Sequence, residues 1–234
     1  MDTTNTKTAI VTTTPATASI ERVTFLLSAV AGYCDTTTFV SGNGTFSAHV
    51  TGNFILFAAQ VVGADAAAWI KLMTFPVFML SVMIGGWLTS KALGKYALLL
   101  TEGIILIMAC VVALAFQSYI GSEQQWPAYS VVMLVVVAMG LQNAFGKVFS
   151  KETTGPTTMM TGNVTQLSLD LGTLFRNKFK GPESAQSLKT LAVNIGGFLA
   201  GCLLGGLMAK GIGLTAVGLP GLVLLFWFLK TRRS

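Results

Sequence analysis

Long apolar runs with few charges between them are the feature that most restricts how this chain can fold. A helix needs about 20 apolar residues to cross the roughly 30 Å hydrocarbon core of a bilayer. The chain has six runs near this length and two shorter apolar segments. The long runs are residues 22–40, 68–90, 96–117, 128–147, 187–209 and 213–230, and the short segments are residues 50–63 and 161–175. We therefore expect an all-helical protein that crosses the membrane several times.

The scarcity of charge excludes a soluble domain. Apolar residues make up 53% of the 234 residues and charged residues only 10%, which is too little charge to cover a soluble surface. The net charge of +6 does not indicate a nucleic-acid partner, because the basic residues lie between apolar runs rather than on one face. The lipid bilayer is the predicted partner. Residues 1–20 are rich in Thr and are expected to form a disordered tail.

An internal duplication organises the apolar segments. Thr51-Gly52-Asn53 recurs as Thr161-Gly162-Asn163, and each copy opens one of the short segments. Further positions match on either side of the tripeptides: Gly32 with Gly140, Asp35 with Asn143, and Gly85 with Gly205. The sequence therefore predicts two membrane repeats, residues 21–120 and residues 121–234, within one membrane domain.

The orientation of the repeats depends on whether the short segments cross the membrane. If all eight segments cross, the repeats are parallel (4+4), and ten of the fifteen Lys and Arg residues lie inside. If the short segments are re-entrant and return to the side they came from, the repeats are inverted (3+3), and only Lys71 and Lys210 lie outside. Cytoplasmic loops of membrane proteins are enriched in basic residues. The inverted arrangement is therefore favoured, with both termini in the cytoplasm.

The length of the short segments agrees with this choice. Fourteen helical residues reach about 21 Å at 1.5 Å per residue, so such a helix starting near the midplane would reach the membrane surface. The polar coils before them, residues 41–45 and 153–157, would form the incoming leg. Non-helical backbone at that depth is tolerated only where protein or a water-filled cavity surrounds it. The sequence thus predicts a cavity.

Polar residues follow one face of each short segment and predict the lining of a solute path. The helical spacings align three residues on each stripe, His49, Asn53 and Gln60 on one and Asn163, Gln166 and Asp170 on the other. The helix N-termini would present N–H groups to an anionic or dipolar solute. The predicted solute-binding residues are Thr51, Gly52, Asn53, Gln60, Gln142, Asn143, Thr161, Gly162, Asn163, Gln166 and Asp170. The alternative is that these side chains only cap helices or hydrogen bond between them.

Acidic groups inside apolar runs are costly and therefore informative. Asp35 lies near the end of the first run, and the chain's one histidine is His49. A buried carboxylate near a histidine suits proton coupling, so Asp35 and His49 are the candidate proton-coupling residues. The alternative for Asp35 is a position at the membrane surface or in a structural hydrogen bond. Glu102 lies within the first two turns of its run and is expected near the interface.

Small residues four apart predict a helix-packing seam. Gly197, Gly201 and Gly205 would let two backbones approach closely, either within the chain or between the subunits of a homo-oligomer. The three cysteines fall inside apolar runs and form no C-x-x-C pair. A lone histidine offers no second ligand beside it. No cofactor, metal site or disulfide is therefore predicted.

Four landmarks of the sequence resemble those of the YoaK-like family of bacterial integral membrane proteins. They are Gly32-Tyr33-Cys34-Asp35, Ala48-His49-Val50-Thr51-Gly52-Asn53, Gly140-Leu141-Gln142-Asn143 and the second Thr161-Gly162. The resemblance covers nearly the whole chain outside the Thr-rich tail. It implies a multi-pass protein of the bacterial inner membrane, in a family of unknown function that is usually suspected of small-molecule transport. It implies no substrate and no catalytic residue.

The residues favour a small transporter or channel for a small polar or anionic solute, with proton coupling as a further option. A non-transporting membrane partner or assembly protein is the alternative. An enzyme is not expected, because the chain has no G-x-S-x-G and no Walker A motif. An intramembrane aspartate enzyme would have to use Asp35 and Asp170 together.

Overall fold

The computed structural model describes residues 15–65, 67–90, 96–117, 125–153, 157–158, 160–177 and 182–233. Within these ranges the chain is helical and contains no strand, so the all-helical prediction is confirmed. The helices are α1 (Pro15–Ser41), α2 (Gly52–Val62), α3 (Trp69–Ser90), α4 (Ala97–Ala115), α5 (Trp126–Val148), α6 (Met160–Arg176), α7 (Pro182–Ile212) and α8 (Gly218–Arg233). A 3-10 turn (Gly213–Val217) joins α7 to α8.

Five helical stretches are long and apolar enough to cross a membrane by length and composition. They are Ile20–Ser41, Trp69–Thr89, Ala97–Ala115, Trp126–Val148 and Leu188–Thr231. The last stretch contains two of the predicted runs, residues 187–209 and 213–230. Gly213 adopts φ +63° at the start of the 3-10 turn that separates α7 from α8. Glycine suits this left-handed backbone because it has no Cβ. The short helices α2 and α6, with 11 and 17 residues, lie at the two predicted short segments.

Residues 15–20, which the sequence assigned to the tail, are the first turns of α1. Residues 1–14 of the predicted tail and the predicted repeat boundary near residue 121 lie outside the described residues.

The third helix of each predicted repeat packs against the first helix of the other. α7 lies along α1, and α3 lies along α5. At the α1–α7 contact, a Cβ added to Gly201 would lie 2.0 Å from the Ala29 carbonyl oxygen. At the matching place between α3 and α5, the Ser81 hydroxyl donates to the Val137 carbonyl at 2.6 Å. The same positions of the two repeats therefore form equivalent contacts.

The glycine seam of α7 faces the inside of the molecule. A Cβ added to Gly197 would lie 2.7 Å from the Phe25 carbonyl oxygen, and one added to Gly205 would lie 2.4 Å from that of Tyr33. Because α1 of the same chain occupies the seam, a second subunit has no room to pack there. The structure gives no support to an oligomer interface at these glycines.

α1 and α5, the first helices of the two repeats, run antiparallel. At the middle of α1, the Leu27 carbonyl accepts a hydrogen bond of 2.8 Å from Gln142, in the last third of α5. Just past the end of α1, Gly42 meets the Val132 side chain near the start of α5.

α4 and α8, the last helices of the repeats, also run antiparallel. The rings of Tyr96 and Trp227 lie 4.9 Å apart at one end of the pair. Further along, a Cβ added to Gly103 would lie 3.2 Å from the Gly221 carbonyl oxygen, and one added to Gly221 would lie 3.0 Å from that of Gly103. This contact is reciprocal, because each glycine faces the carbonyl group of the other.

The core lies where α1, α4, α5 and the 3-10 turn meet, and it is mostly aliphatic. Glu102 is 0% exposed within it. Glu102 is therefore enclosed by protein rather than exposed at the protein surface. The next residue, Gly103, lies at the crossing of α4 with α8.

Candidate functional site

The coil between α1 and α2 folds back onto the Asp35 carboxylate. Asp35 Oδ1 accepts hydrogen bonds from the backbone N–H groups of Ser47 and Ala48, both at 2.7 Å. Its Oδ2 lies 2.6 Å from Nδ1 of His49. Asp35 is 4% exposed, so it is not a surface residue. The sequence allows a structural hydrogen bond and a contact with His49 as alternative roles for Asp35. In the structure the carboxylate makes both contacts.

His49 lies in this coil, outside the spanning helices, and is about one-third exposed. The hydrogen bond to the Asp35 carboxylate raises the pKa of His49, although burial of the ring acts against this rise. The ring packs edge-on against Phe198 of α7, with centroids 5.4 Å apart. The geometry thus places a histidine with a carboxylate partner between α1, α7 and the start of α2.

Asn53 holds the same coil from the other side. Its Oδ1 accepts the Phe46 N–H at 2.9 Å, and its Nδ2 donates to the Phe46 carbonyl at 2.8 Å and to Thr74 Oγ1 of α3 at 2.9 Å. The side chain is fully buried. Asn53 therefore connects the coil to α3, as the alternative interpretation of the polar stripes proposes.

Lys71 of α3 is a third anchor of the coil that sequence reasoning missed. Its Nζ contacts the Asn43 carbonyl closely and donates to Thr45 Oγ1 at 2.5 Å. The residue is 3% exposed. A lysine three residues inside an apolar run was the available signal, but the positive-inside count treated it only as a topological exception.

The second repeat holds its coil with neutral groups. Asn143, the counterpart of Asp35, donates to Thr158 Oγ1 at 2.6 Å. Gln142 beside it donates to Thr157 Oγ1 at 2.9 Å as well as to Leu27. Thr157 and Thr158 are thus held by Gln142 and Asn143, whereas Ser47 and Ala48 are held by the Asp35 carboxylate.

Two cavities adjoin these coils. The Asp35 cavity, of about 480 Å³, is lined by Asp35, Thr36, Phe39, Phe46, His49, Thr51, Gly52, Ile55, Phe198 and Cys202. The Asn143 cavity, of about 400 Å³, is lined by Ala48, His49, Val50, Thr51, Phe78, Asn143, Thr158, Met160, Thr161 and Gly162. His49 and Thr51 line both cavities. Residues of both Thr-Gly-Asn tripeptides therefore meet at the Asn143 cavity.

The remaining predicted site residues lie away from the two linings. Gln166 donates to Asp170 at 2.8 Å on the outer side of α6, and Asn163 is buried at the start of that helix. Gln60 is half-buried on α2. Asp170 does not join Asp35 in its cavity, so the lining does not bring together the pair that an aspartate enzyme would use.

No sequence pattern indicates the apolar and thiol walls of the cavities, which come from Phe78, Phe198 and Cys202. These residues reach the site only through the register of α3 on α5 and of α7 on α1, which is set by tertiary packing. Among the described residues, no three His, Cys, Asp or Glu side chains are grouped to hold a metal ion.

Comparison with known proteins gives one match. The model of a family described as "Protein of unknown function (DUF1275)" matches residues 23–229 of the chain. No curated protein and no solved structure is similar enough to match.

Proposed function

This chain belongs to the DUF1275 family, whose function is unknown, and from its site we propose a small transporter or channel for a small polar or anionic solute. One observation carries the proposal: Thr51 and Thr161, from the two tripeptides, line one cavity, which adjoins the Asp35 cavity at His49 and Thr51. Solute sites of this kind form where broken helices of two repeats meet within the membrane. The bacterial inner membrane is the proposed location.

The directions of the helices support inverted repeats with six crossings. If α2 and α6 crossed fully, α1 would be four crossings away from α5, and the two would point the same way. They run antiparallel, and so do α4 and α8. Six alternating crossings, with α2 and α6 as re-entrant helices, account for both pairs.

The Asn143 cavity offers hydrogen-bond donors without a carboxylate among its described lining residues. Hydroxyl groups come from Thr51, Thr158 and Thr161, and an amide comes from Asn143. The first turn of α6 adds the positive end of a helix dipole. Phe78 and Val50 provide an apolar wall. This combination suits a small anion such as a carboxylate with a short apolar part.

Proton coupling would use Asp35 and His49. The carboxylate favours the protonated imidazole, and His49 borders both cavities. An anion in the Asn143 cavity would further stabilise a protonated His49, while departure of the anion would favour release of the proton. An anion and a proton would therefore move together.

The test is solute permeation into proteoliposomes, followed by light scattering, with formate, acetate, phosphate, glycerol and urea as probes. The double variant Thr51→Val with Thr161→Val removes two hydroxyl groups and leaves the side-chain volumes nearly unchanged. Its permeation should fall roughly 30-fold, because two hydrogen bonds of about 1 kcal/mol each are lost and about 1.4 kcal/mol corresponds to tenfold. Thr165→Val is the matched control, since the Thr165 hydroxyl bonds its own helix on an exposed face.

Unchanged permeation in the double variant would remove the Asn143 cavity from the solute path. Wild-type vesicles no more permeable than empty vesicles to every probe would favour the alternative of a non-transporting membrane partner.

A further inference from the structure

One contact breaks the two-fold pattern of the repeats. α4 packs along α5, but the equivalent helix α8 touches α1 only marginally. An apolar groove of about 350 Å³ lies between α1, α7 and α8 instead. It is lined by Leu26, Ala29, Val30, Tyr33, Gly201, Leu204, Met208, Leu219, Pro220 and Val223.

The reciprocal contact of Gly103 and Gly221 relates α4 to α8 residue by residue. One position before each glycine, Glu102 of α4 corresponds to Pro220 of α8. Pro220 lines the open groove, whereas Glu102 is sealed in the core. The same structural position is thus open in one repeat and closed in the other.

Glu102 is a buried carboxyl without a partner among the described residues. Its exposure is 0%, and neither of its carboxyl oxygens has a hydrogen bond. The neutral form fits this place, because a buried carboxylate needs a positive partner or donors. The titratable group in electrostatic contact with it is the thiol of Cys34 on α1, next to Asp35. The charged residues of the helices packed on α4 lie at their ends: Lys147 on α5, and Lys230, Arg232 and Arg233 on α8.

We infer that Glu102 is a proton-binding site whose access is controlled by the packing of α4 against α5. Inverted repeats allow two states in which they exchange conformations. In the second state α8 closes on α1, α4 parts from α5, and Glu102 lines the groove that this opens. There the carboxyl can lose its proton and regain it. The inference rests on the proposed transporter with inverted repeats and adds a coupling group to it.

Labelling with dicyclohexylcarbodiimide, an apolar reagent that adds to protonated carboxyls, tests this without any transported solute. Full-length protein in vesicles is labelled and analysed by peptide mass spectrometry. We expect Glu102 to be labelled, labelling to be lost as the pH rises, and the Glu102→Gln variant to be unlabelled at this position. Tyr96→Cys with Glu152→Cys, whose native side chains are joined by a hydrogen bond of 3.1 Å, allows a bismaleimide to tether α4 to the end of α5. The tether should abolish the labelling.

The matched control is Pro220→Glu in the Glu102→Gln background, which places the carboxyl in the groove that is already open. It should be labelled with or without the tether, and the two single-cysteine variants should behave as wild type. If Glu102 stays unlabelled while this control reacts, or if the tether leaves the labelling of Glu102 unchanged, the inference is wrong. Solute permeation is measured separately, so that result would leave the proposed function standing.

Discussion

Single side chains decide the shape of the coil that leads into α2. Asp35 binds the backbone of Ser47 and Ala48 on one side, while Lys71 binds the Asn43 carbonyl on the other. The coil has few backbone hydrogen bonds of its own, and buried backbone groups left without partners are costly. Anchors from α1 and α3 therefore replace the regular hydrogen bonds of a helix, and they hold His49 at the border of the two cavities.

His49 offers a direct measurement at this scale because it is the only histidine of the chain. We expect a pKa above the ordinary value of 6.5, since the Asp35 carboxylate stabilises the imidazolium form. Asp35→Asn should lower it. NMR titration of the ring signals in nanodiscs, with any purification tag removed, measures both. A pKa that is the same in the two proteins would show that the carboxylate does not act on His49.

The polar stripes show where inference from residues stops. Helical spacing predicts a polar stripe on each short segment, but His49 of the first stripe lies in the coil before α2. The spacing also could not separate Thr161, at a cavity, from Asn53, which is folded onto the coil. That difference depends on how the preceding coil runs, and the coil is fixed by Asp35 and by Lys71 of a later helix. Glu102 is a similar case, because its burial depends on the helices that pack on α4, which lie later in the chain.

Whole elements were far more predictable. Each apolar run lies largely within a helix, because run length and hydrophobicity are local properties, although α1 begins seven residues before its predicted run. Which helices pack against each other is not determined by local sequence. The small residues of α7 predicted a close contact, but both α1 and a second subunit were possible partners. The structure places the Ala29 backbone against Gly201.

This seam predicts opposite effects for two neighbouring positions of α7. In Gly201→Ala the new methyl group would lie 2.0 Å from a backbone oxygen of α1, so α7 must shift, at a cost of about 1–3 kcal/mol. Gly196→Ala has no atom within 4 Å and should gain up to about 1 kcal/mol from helix propensity. Thermal unfolding of the purified variants in one detergent compares them. Equal unfolding temperatures would contradict the packing described here.

At the scale of the whole molecule, the pattern of parallel and antiparallel helices bears on the path through the membrane. α1 and α7 run side by side in the same direction, while α1 and α5 oppose each other. The count of basic residues favoured the same six-crossing path from an independent property, the distribution of charge.

Labelling of single cysteines separates the two topologies. In a background without Cys34, Cys110 and Cys202, Lys151→Cys and Lys210→Cys lie on opposite sides if there are six crossings. They lie on the same side if there are eight. We expect a membrane-impermeant maleimide, added to intact cells and to inverted vesicles, to label the two variants from opposite sides. Labelling of both from one side would exclude the inverted repeats.

The exchange of third helices between the repeats also sets an order for biosynthesis. α1 leaves the ribosome among the first segments, yet its partner α7 follows only after about 150 further residues. Until then the face of α1 that later packs on α7 must be covered by lipid or by an insertion chaperone. Release of α1 from that cover would be possible only once α7 has arrived. A nascent chain interrupted in the second repeat would therefore remain a substrate for membrane quality control, even with every helix of its first repeat inserted.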